Sequence, residues 1–145
     1  MKKKLIAFTI NTLEEAESII LGSKIYKIKP ILHLKKYFLL GFGVEFILTF
    51  REMLISKYGK SSFKLFVDCG FDQSLAINMA NKKINYLKLR SNSIILSKIN
   101  NIAYKNTVSL NPSFNIVDCR NRKNINLKLK KLYSKEKNEN RWKSN

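Results

Sequence analysis

The chain has 145 residues, enough for one domain with a buried core. Hydrophobic residues make up 45% of it, which excludes a chain left unfolded for want of apolar side chains, and no apolar run approaches the ~18 residues that a membrane-crossing helix needs. The formal charge is +18, from 28 basic and 10 acidic residues, which points to polyanions as partners: nucleic acid or phosphorylated small molecules. Lys, Asn and Ile together make up 56 of the 145 residues, and all three have A/T-rich codons, so compositional bias is the competing source of the lysine. It does not account for the shortage of Asp and Glu, whose codons tolerate A and T.

The chain opens on three lysines and a short apolar stretch, residues 5–10. The stretch is too short for a signal-peptide core and meets Asn11 and Thr12 without a small-residue cleavage site, so the expectation is a first strand in a cytoplasmic protein. Two cysteines outside any secretory context suit a reducing compartment. Thr12 and Glu15 have capping-box spacing and predict a helix whose buried face carries Ala16, Ile19 and Ile20, ending near Gly22 or Lys24. Pro30 introduces a second strand, Ile31 to Leu34. Val44, Ile47, Leu48, Met53 or Leu54, and Ile55 recur at helical spacing, and Gly59 ends that helix. Gly41-Phe42-Gly43 reads as a bend before it.

Residues 63–67 form a third apolar strand that runs into Asp68-Cys69-Gly70. A helix follows over residues 72–81, then a fourth strand over 85–89. Ser91 or Ser93 is expected to cap a helix carrying Ile94, Ile95, Ile99 and Ile102. The fifth strand is ambiguous, since residues 107–110 and 114–117 flank Pro112. Strand and helix alternate with short joins, which predicts an α/β fold with a mainly parallel sheet of about five strands and about four helices. No glycine-rich phosphate loop is present. Residues 120–145 hold ten Lys or Arg against two Glu, and form a basic C-terminal extension to an α/β domain of residues 1–119. The extension has one apolar element, Ile125, Leu127, Leu129, Leu132 and Tyr133, and its end is expected to be disordered.

At this point a family resemblance emerges. Ala7-Phe8-Thr9-Ile10-Asn11 followed by Leu13-Glu14-x-Ala16 resembles the Ala-Phe-Asn-x-Asn…Leu-Glu-x-Ala opening of class II fructose-bisphosphate aldolases. Pro30-Ile31-Leu32 stands where that family has Pro-Val-Ile. Val67-Asp68-Cys69-Gly70 stands where it has Leu-Asp-His-Gly, and Arg90-Ser91 falls at the close of its next unit. The likeness covers residues 5–91 and implies the first half of a metal-dependent (β/α)8 barrel, a fold of about 250 residues. It implies a proton-transferring role for Asp68 and a zinc-ligand position at Cys69. Thr9 replaces the family's first Asn, Lys35-Lys36 replace a Ser-containing loop, and the remaining half of the barrel has no counterpart here. The expectation is a degenerate aldolase-like protein without lyase activity.

The candidate chemistry follows from the carboxyl ends of the strands, where α/β folds bind ligands. Asp68 is the catalytic candidate; its plainer role is to cap a turn. Phe66-Val67-Asp68-Cys69 is echoed by Ile116-Val117-Asp118-Cys119. With His33, the set Cys69, His33, Asp118 and Cys119 has the residue types of a zinc site, although without the close pairing of a zinc knuckle. Its plainer reading is Cys69 as a small buried hydrophobe and His33 as a surface or core histidine. A cysteine nucleophile would have His33 alone as base, since it is the single histidine. Asn11, Lys35, Lys36, Arg90 and Ser91, with Lys88, are candidates for a rim that binds a phosphorylated ligand; solvated surface lysine is the plainer reading. Tyr37, Phe38 and Phe42 beside Lys35-Lys36 mix aromatic and basic residues, as single-strand binders do.

Three readings of function follow. The first is a phosphorylated-ligand or protein-partner site at the strand ends around Asp68. The second is a basic protein associated with nucleic acid or ribosomes. The third is a zinc lyase built as a dimer of half-barrels. No membrane partner is expected. Open sheet edges invite pairing, so a homodimer is expected, or else a C-terminal segment folded back on the sheet.

Overall fold

A computed structural model describes residues 4–119 and 124–142, with the side chains of 37–42 and 135–142 set aside. Among these residues six strands and five helices alternate up to β5, which is followed directly by β6: β1 (Ile6–Thr9), α1 (Leu13–Ile25), β2 (Ile31–Leu34), α2 (Lys36–Tyr58), β3 (Lys64–Asp68), α3 (Gln73–Asn81), β4 (Tyr86–Lys88), α4 (Ser93–Lys105), β5 (Ser109–Leu110), β6 (Asn115–Asp118) and α5 (Ile125–Trp142). The strands form one sheet in the order β5-β4-β3-β2-β1-β6, and every neighbouring pair is parallel. The expected α/β class is what the chain adopts. Both halves of the ambiguous region around Pro112 are strands, and they lie on opposite edges of the sheet.

That separation forces the sheet to curl. Leu110 and Asn115 are five residues apart, a reach of at most about 18 Å. Five inter-strand spacings in a flat sheet already span about 24 Å. In addition, Leu110 stands at the level of Leu34, whereas Asn115 stands opposite Ile6, near the other end of the strands. Only a strongly curved sheet lets four residues join its two edges. Phe114 shows the route. Its ring meets Phe66 of β3 edge-on at 5.3 Å and Tyr86 of β4 at 4.9 Å, so residues 111–114 cross the concave face as a strap.

Strand alternation divides the side chains between the two faces. Phe8, Ile10, Leu32, Leu34, Leu65, Val67, Leu87 and Leu89 point outward and pack with residues from all five helices, including Ile19, Ile47, Met79, Ile99 and Leu129, into the main core. The inner face has a small cluster of Ala7, Ile31 and Phe66, against which Tyr86 and Phe114 pack.

Local signals in the sequence explain most of the boundaries. The Thr12 hydroxyl accepts from the Glu15 amide at 3.1 Å, and the Glu15 carboxylate accepts from the Asn11 amide at 2.6 Å, a capping box shifted by one residue. Asp72 caps α3 through the Leu75 amide at 3.0 Å. The cap of α4 is Asn92, whose side chain accepts from the Ile95 amide at 2.9 Å, in place of the expected Ser91 or Ser93. Helix α2 begins earlier than expected, and the bend falls inside it at Gly43, where φ is 76°.

The apolar element of the C-terminal extension opens α5, which runs helically through Trp142; residues 143–145, at the end expected to be disordered, lie outside the described ones. Helix α5 lies against α1. A Cβ at Gly22 would come within 2.5 Å of Leu129 Cδ1, so glycine sets this close approach. Tyr133 is buried, bonds Ser23 through its hydroxyl at 2.9 Å, and meets the Phe8 and Tyr26 rings. The segment thus folds back onto α1 and the outer side of β1. Among the described residues, no helix is long and apolar enough to cross a membrane.

Candidate binding site at the carboxyl ends of the strands

The parallel register stacks the inward side chains in layers. One layer places Asp118, Thr9, His33, Phe66 and Tyr86 side by side across five strands, from β6 to β4. Asp68 and Lys88 are register partners one layer nearer the carboxyl ends. Lys35 and Arg90 follow at the rim.

His33 is buried, with 6% of its surface exposed. Its Nδ1 lies 2.8 Å from the Thr9 hydroxyl, and its ring stacks on Phe66 at 4.8 Å. Burial pulls its pKa down to about 4, against the partly opposing charge of Asp68; Lys88 and Lys35 lower it further and Asp118 raises it. The imidazole is therefore neutral at pH 7, with one nitrogen engaged by Thr9. Asp68 is the last residue of β3 and half-buried, and its Oδ1 accepts from the Gly70 amide at 2.9 Å. It thus has its place at the carboxyl end of the strand and also makes the local turn bond of the plainer reading. Lys35 pairs with Asp118 at 3.4 Å. This pair ties the end of β2 to the end of β6 across β1.

A cavity of about 430 Å³ opens between this inner face and the strap. His33 and Phe66 form part of its wall, Lys88 and Arg90 bring two cations, and Asn111, Pro112, Ser113 and Phe114 close the far side. Asn111 fixes the strap. Its φ is 50°, and its side chain bonds both the amide and the carbonyl of Leu89, at 2.8 and 3.0 Å, as a neighbouring strand would. The volume is that of a small-molecule pocket.

Beyond the cavity, Gly70 has φ of 57° and the Lys36 chain lies where a Cβ would be, with Nζ 2.8 Å from that position. Lys36 thereby reaches the Phe71 ring, 5.9 Å from its centroid, and Arg90 stands at the same distance.

The four expected metal ligands do not converge. Cys69 and Cys119 have the parity of Val67 and Val117 and are buried in the helix-side core, whereas His33 and Asp118 face inward. Among the described residues no group of three His, Cys, Asp or Glu side chains is placed to hold a metal ion. Burial, and then the charges of Asp68 and Asp72, push the Cys69 thiol up to about 12, so it is protonated at neutral pH and a poor nucleophile. Adjacent residues on a strand face opposite sides, so Asp118 and Cys119 of the expected set cannot both serve one rim.

The phosphate-rim set is partly assembled. Lys35, Lys36 and Arg90 stand at the rim with Asp68. The Asn11 amide is taken up in the cap of α1, and Ser91 lies half-buried between β4 and α4. The side chains of Tyr37, Phe38 and Phe42 fall outside the described ones. Sequence reasoning left Thr9 out of the site, although its parity with Ala7 and its register with His33 put it there.

No protein-family profile matches the sequence, and no curated protein matches it. Among solved structures, the crystal structure of a protein assigned as a fructose-1,6-biphosphate aldolase from Coccidioides immitis is similar, with a TM-score of 0.58 and 11% sequence identity. The match covers 74% of this chain and 40% of the neighbour, so the chain spans two-fifths of that protein's length. At this identity the likeness is one of fold. The chain has an aldolase-like, barrel-type α/β fold, and the aldolase resemblance drawn from residues 5–91 is supported at that level.

Proposed function

We propose that the chain binds a phosphorylated small molecule at the carboxyl-end rim and does not cleave fructose 1,6-bisphosphate. The observation that carries this reading is the approach of two cations, Lys88 and Arg90, to one side of a cavity whose floor holds a neutral His33. Among the described residues neither cation is in an ion pair, and such cations favour a phosphate. The neutral imidazole adds a hydrogen-bonding group without adding charge. The lyase is set aside because Cys69, at the position where the resembled family has a zinc-binding histidine, is turned into the core.

Calorimetric titration with ribose 5-phosphate tests the reading. Binding is expected for the wild type, with a loss of about tenfold in Lys88→Ala, as one charge-assisted phosphate contact is removed. The absence of binding, or unchanged affinity in Lys88→Ala, overturns it. Metal-dependent cleavage of fructose 1,6-bisphosphate that Asp68→Asn abolishes would refute the second half of the proposal.

A second reading, polyanion binding, is favoured by a separate basic cavity of about 560 Å³ at the opposite end of the strands. It is lined by Lys24, Lys27, Lys29 and Lys57 with Ser61 and Ser62. If this surface meets nucleic acid, retention on heparin falls in a Lys24, Lys27, Lys29 triple alanine variant more than in Lys88→Ala.

A further inference from the structure

Phe71 is 68% exposed, in the turn that follows β3. An exposed phenylalanine on its own needs no explanation. This one differs in its neighbours. Two cations from separate elements, Lys36 at the start of α2 and Arg90 beyond β4, each stand 5.9 Å from its centroid. That distance is the outer limit of a cation–π contact, and most of the ring surface stays open to solvent. Arg90 also lines the 430 Å³ cavity, and its amide bonds the Gly70 carbonyl at 2.7 Å. The aromatic platform and the cationic cavity are therefore held together by one residue.

We propose that the ligand of this rim is a nucleoside phosphate, with its base stacked on Phe71 and its phosphate held by Arg90 and Lys88. The proposal rests on the phosphate-binding reading above and names the ligand class. An aromatic face beside a cation is the pairing that a base joined to a phosphate requires: the ring accepts the π-face of any base and the cations take the charge. A simple sugar phosphate would use the cations and leave Phe71 idle. The strap over the cavity favours a free nucleotide over an internal stretch of nucleic acid, because the cavity is walled on that side by residues 111–114.

The experiment compares ribose 5-phosphate, AMP and a 5′-phosphorylated hexa-adenylate by calorimetry on the wild type, Phe71→Ala and Phe71→Trp. AMP is expected to bind about tenfold more tightly than ribose 5-phosphate, toward the low end of what base stacking on an aromatic contributes. Phe71→Ala is expected to remove that advantage and leave ribose 5-phosphate unchanged, and Phe71→Trp to keep it. Because Phe71 is exposed, its variants are expected to unfold with the wild-type midpoint, which circular dichroism checks. Equal wild-type affinity for AMP and ribose 5-phosphate overturns this inference and leaves phosphate binding standing, as does an equal loss of both in Phe71→Ala. If neither probe binds, both readings fall together. Tighter binding of the hexanucleotide than of AMP overturns the assignment to a free nucleotide.

Discussion

The two faces of the sheet are built from the same strands yet differ in kind. The outer face is covered by five helices and sealed by fully buried Leu32, Leu34, Leu65, Val67 and Leu87. The inner face has three buried apolar residues, a four-residue strap and a row of polar side chains. In a closed eight-stranded barrel, inward side chains from all the strands fill the interior. Here six strands curl without closing, and Phe114 occupies part of the space that further strands would fill. The contrast separates the work of the two faces: one is a core that holds the fold, and the other a partly filled concavity that can hold a ligand.

Two substitutions test that contrast most sharply. Leu65→Ala removes a side chain with no exposed surface from the centre of the outer face and is expected to cost about 3 kcal/mol. Phe114→Ala removes a larger side chain from the inner face. Phe114 is only half-buried and the cavity beside it is already open, so the expected cost is smaller, about 2 kcal/mol. Urea unfolding of both variants measures the difference. A cost for Phe114→Ala above that for Leu65→Ala would show that the strap, and not the helix layer, is the main support of the sheet.

The polar row on the inner face makes a prediction of intermediate size. His33 has an ordinary pKa of 6.5 when unfolded and about 4 when folded, so between these values the unfolded chain binds more protons. Stability then rises with pH across the window: the contribution is present above 6.5 and is lost as pH falls toward 4. The facing groups are Asp68 and Asp118, which favour the imidazolium, and Lys88 and Lys35, which oppose it. From pH 7 to pH 5 the wild type is expected to lose about 2 kcal/mol more than His33→Gln does, by urea unfolding at both pH values. Equal losses would mean that His33 accepts a proton in the folded state at little cost and is more open to solvent than its packing on Phe66 implies.

Several features of this arrangement were open to reading in the sequence. The Thr12–Glu15 box, the Asp72 cap and the alternation of strand and helix rest on local chemistry, and they placed Asp68 at the end of its strand. The inward parity of Thr9, His33, Asp68 and Lys88 was legible too. Applied to Cys69, it would have removed that residue from the zinc set. The strap was not legible. Whether the strand after Pro112 joins β5 or crosses to β1 is a choice made by tertiary packing, here by Phe114 on Phe66 and Tyr86, and no local pattern encodes it. Gly22 reads locally as one of two possible ends of α1, with Lys24, because its use, admitting Leu129 of α5, lies more than a hundred residues away. Phe71 was passed over because its meaning depends on two cations from other elements.

The helix ends of the outer layer give the smallest effect and the most local test of that layer. Helices α1, α3 and α4 all finish in the same way. Lys27, Lys83 and Thr107 have φ of 55°, 59° and 58°, and the residue after each returns its amide to the carbonyl five positions back: Ile28 to Ser23 at 3.1 Å, Ile84 to Met79 at 3.1 Å and Val108 to Ala103 at 2.8 Å. This is the Schellman closure, which usually has glycine at the left-handed position. Without glycine the three turns leave no signal in the sequence. Thr107 is the most strained of the three, because a β-branched side chain at positive φ is the least tolerated. Its hydroxyl donates to the Asn106 carbonyl at 2.6 Å, and it is exposed, so its replacement leaves no cavity. Thr107→Gly is therefore expected to stabilise the protein by about 0.5–1 kcal/mol: relief of the left-handed strain outweighs the added freedom of the unfolded chain. Lys83→Gly, at a residue without β-branching, is expected to gain less. Thermal unfolding of the two variants compares them, and a loss of stability in Thr107→Gly would show that the hydroxyl bond holds this turn more firmly than its backbone strain opposes it.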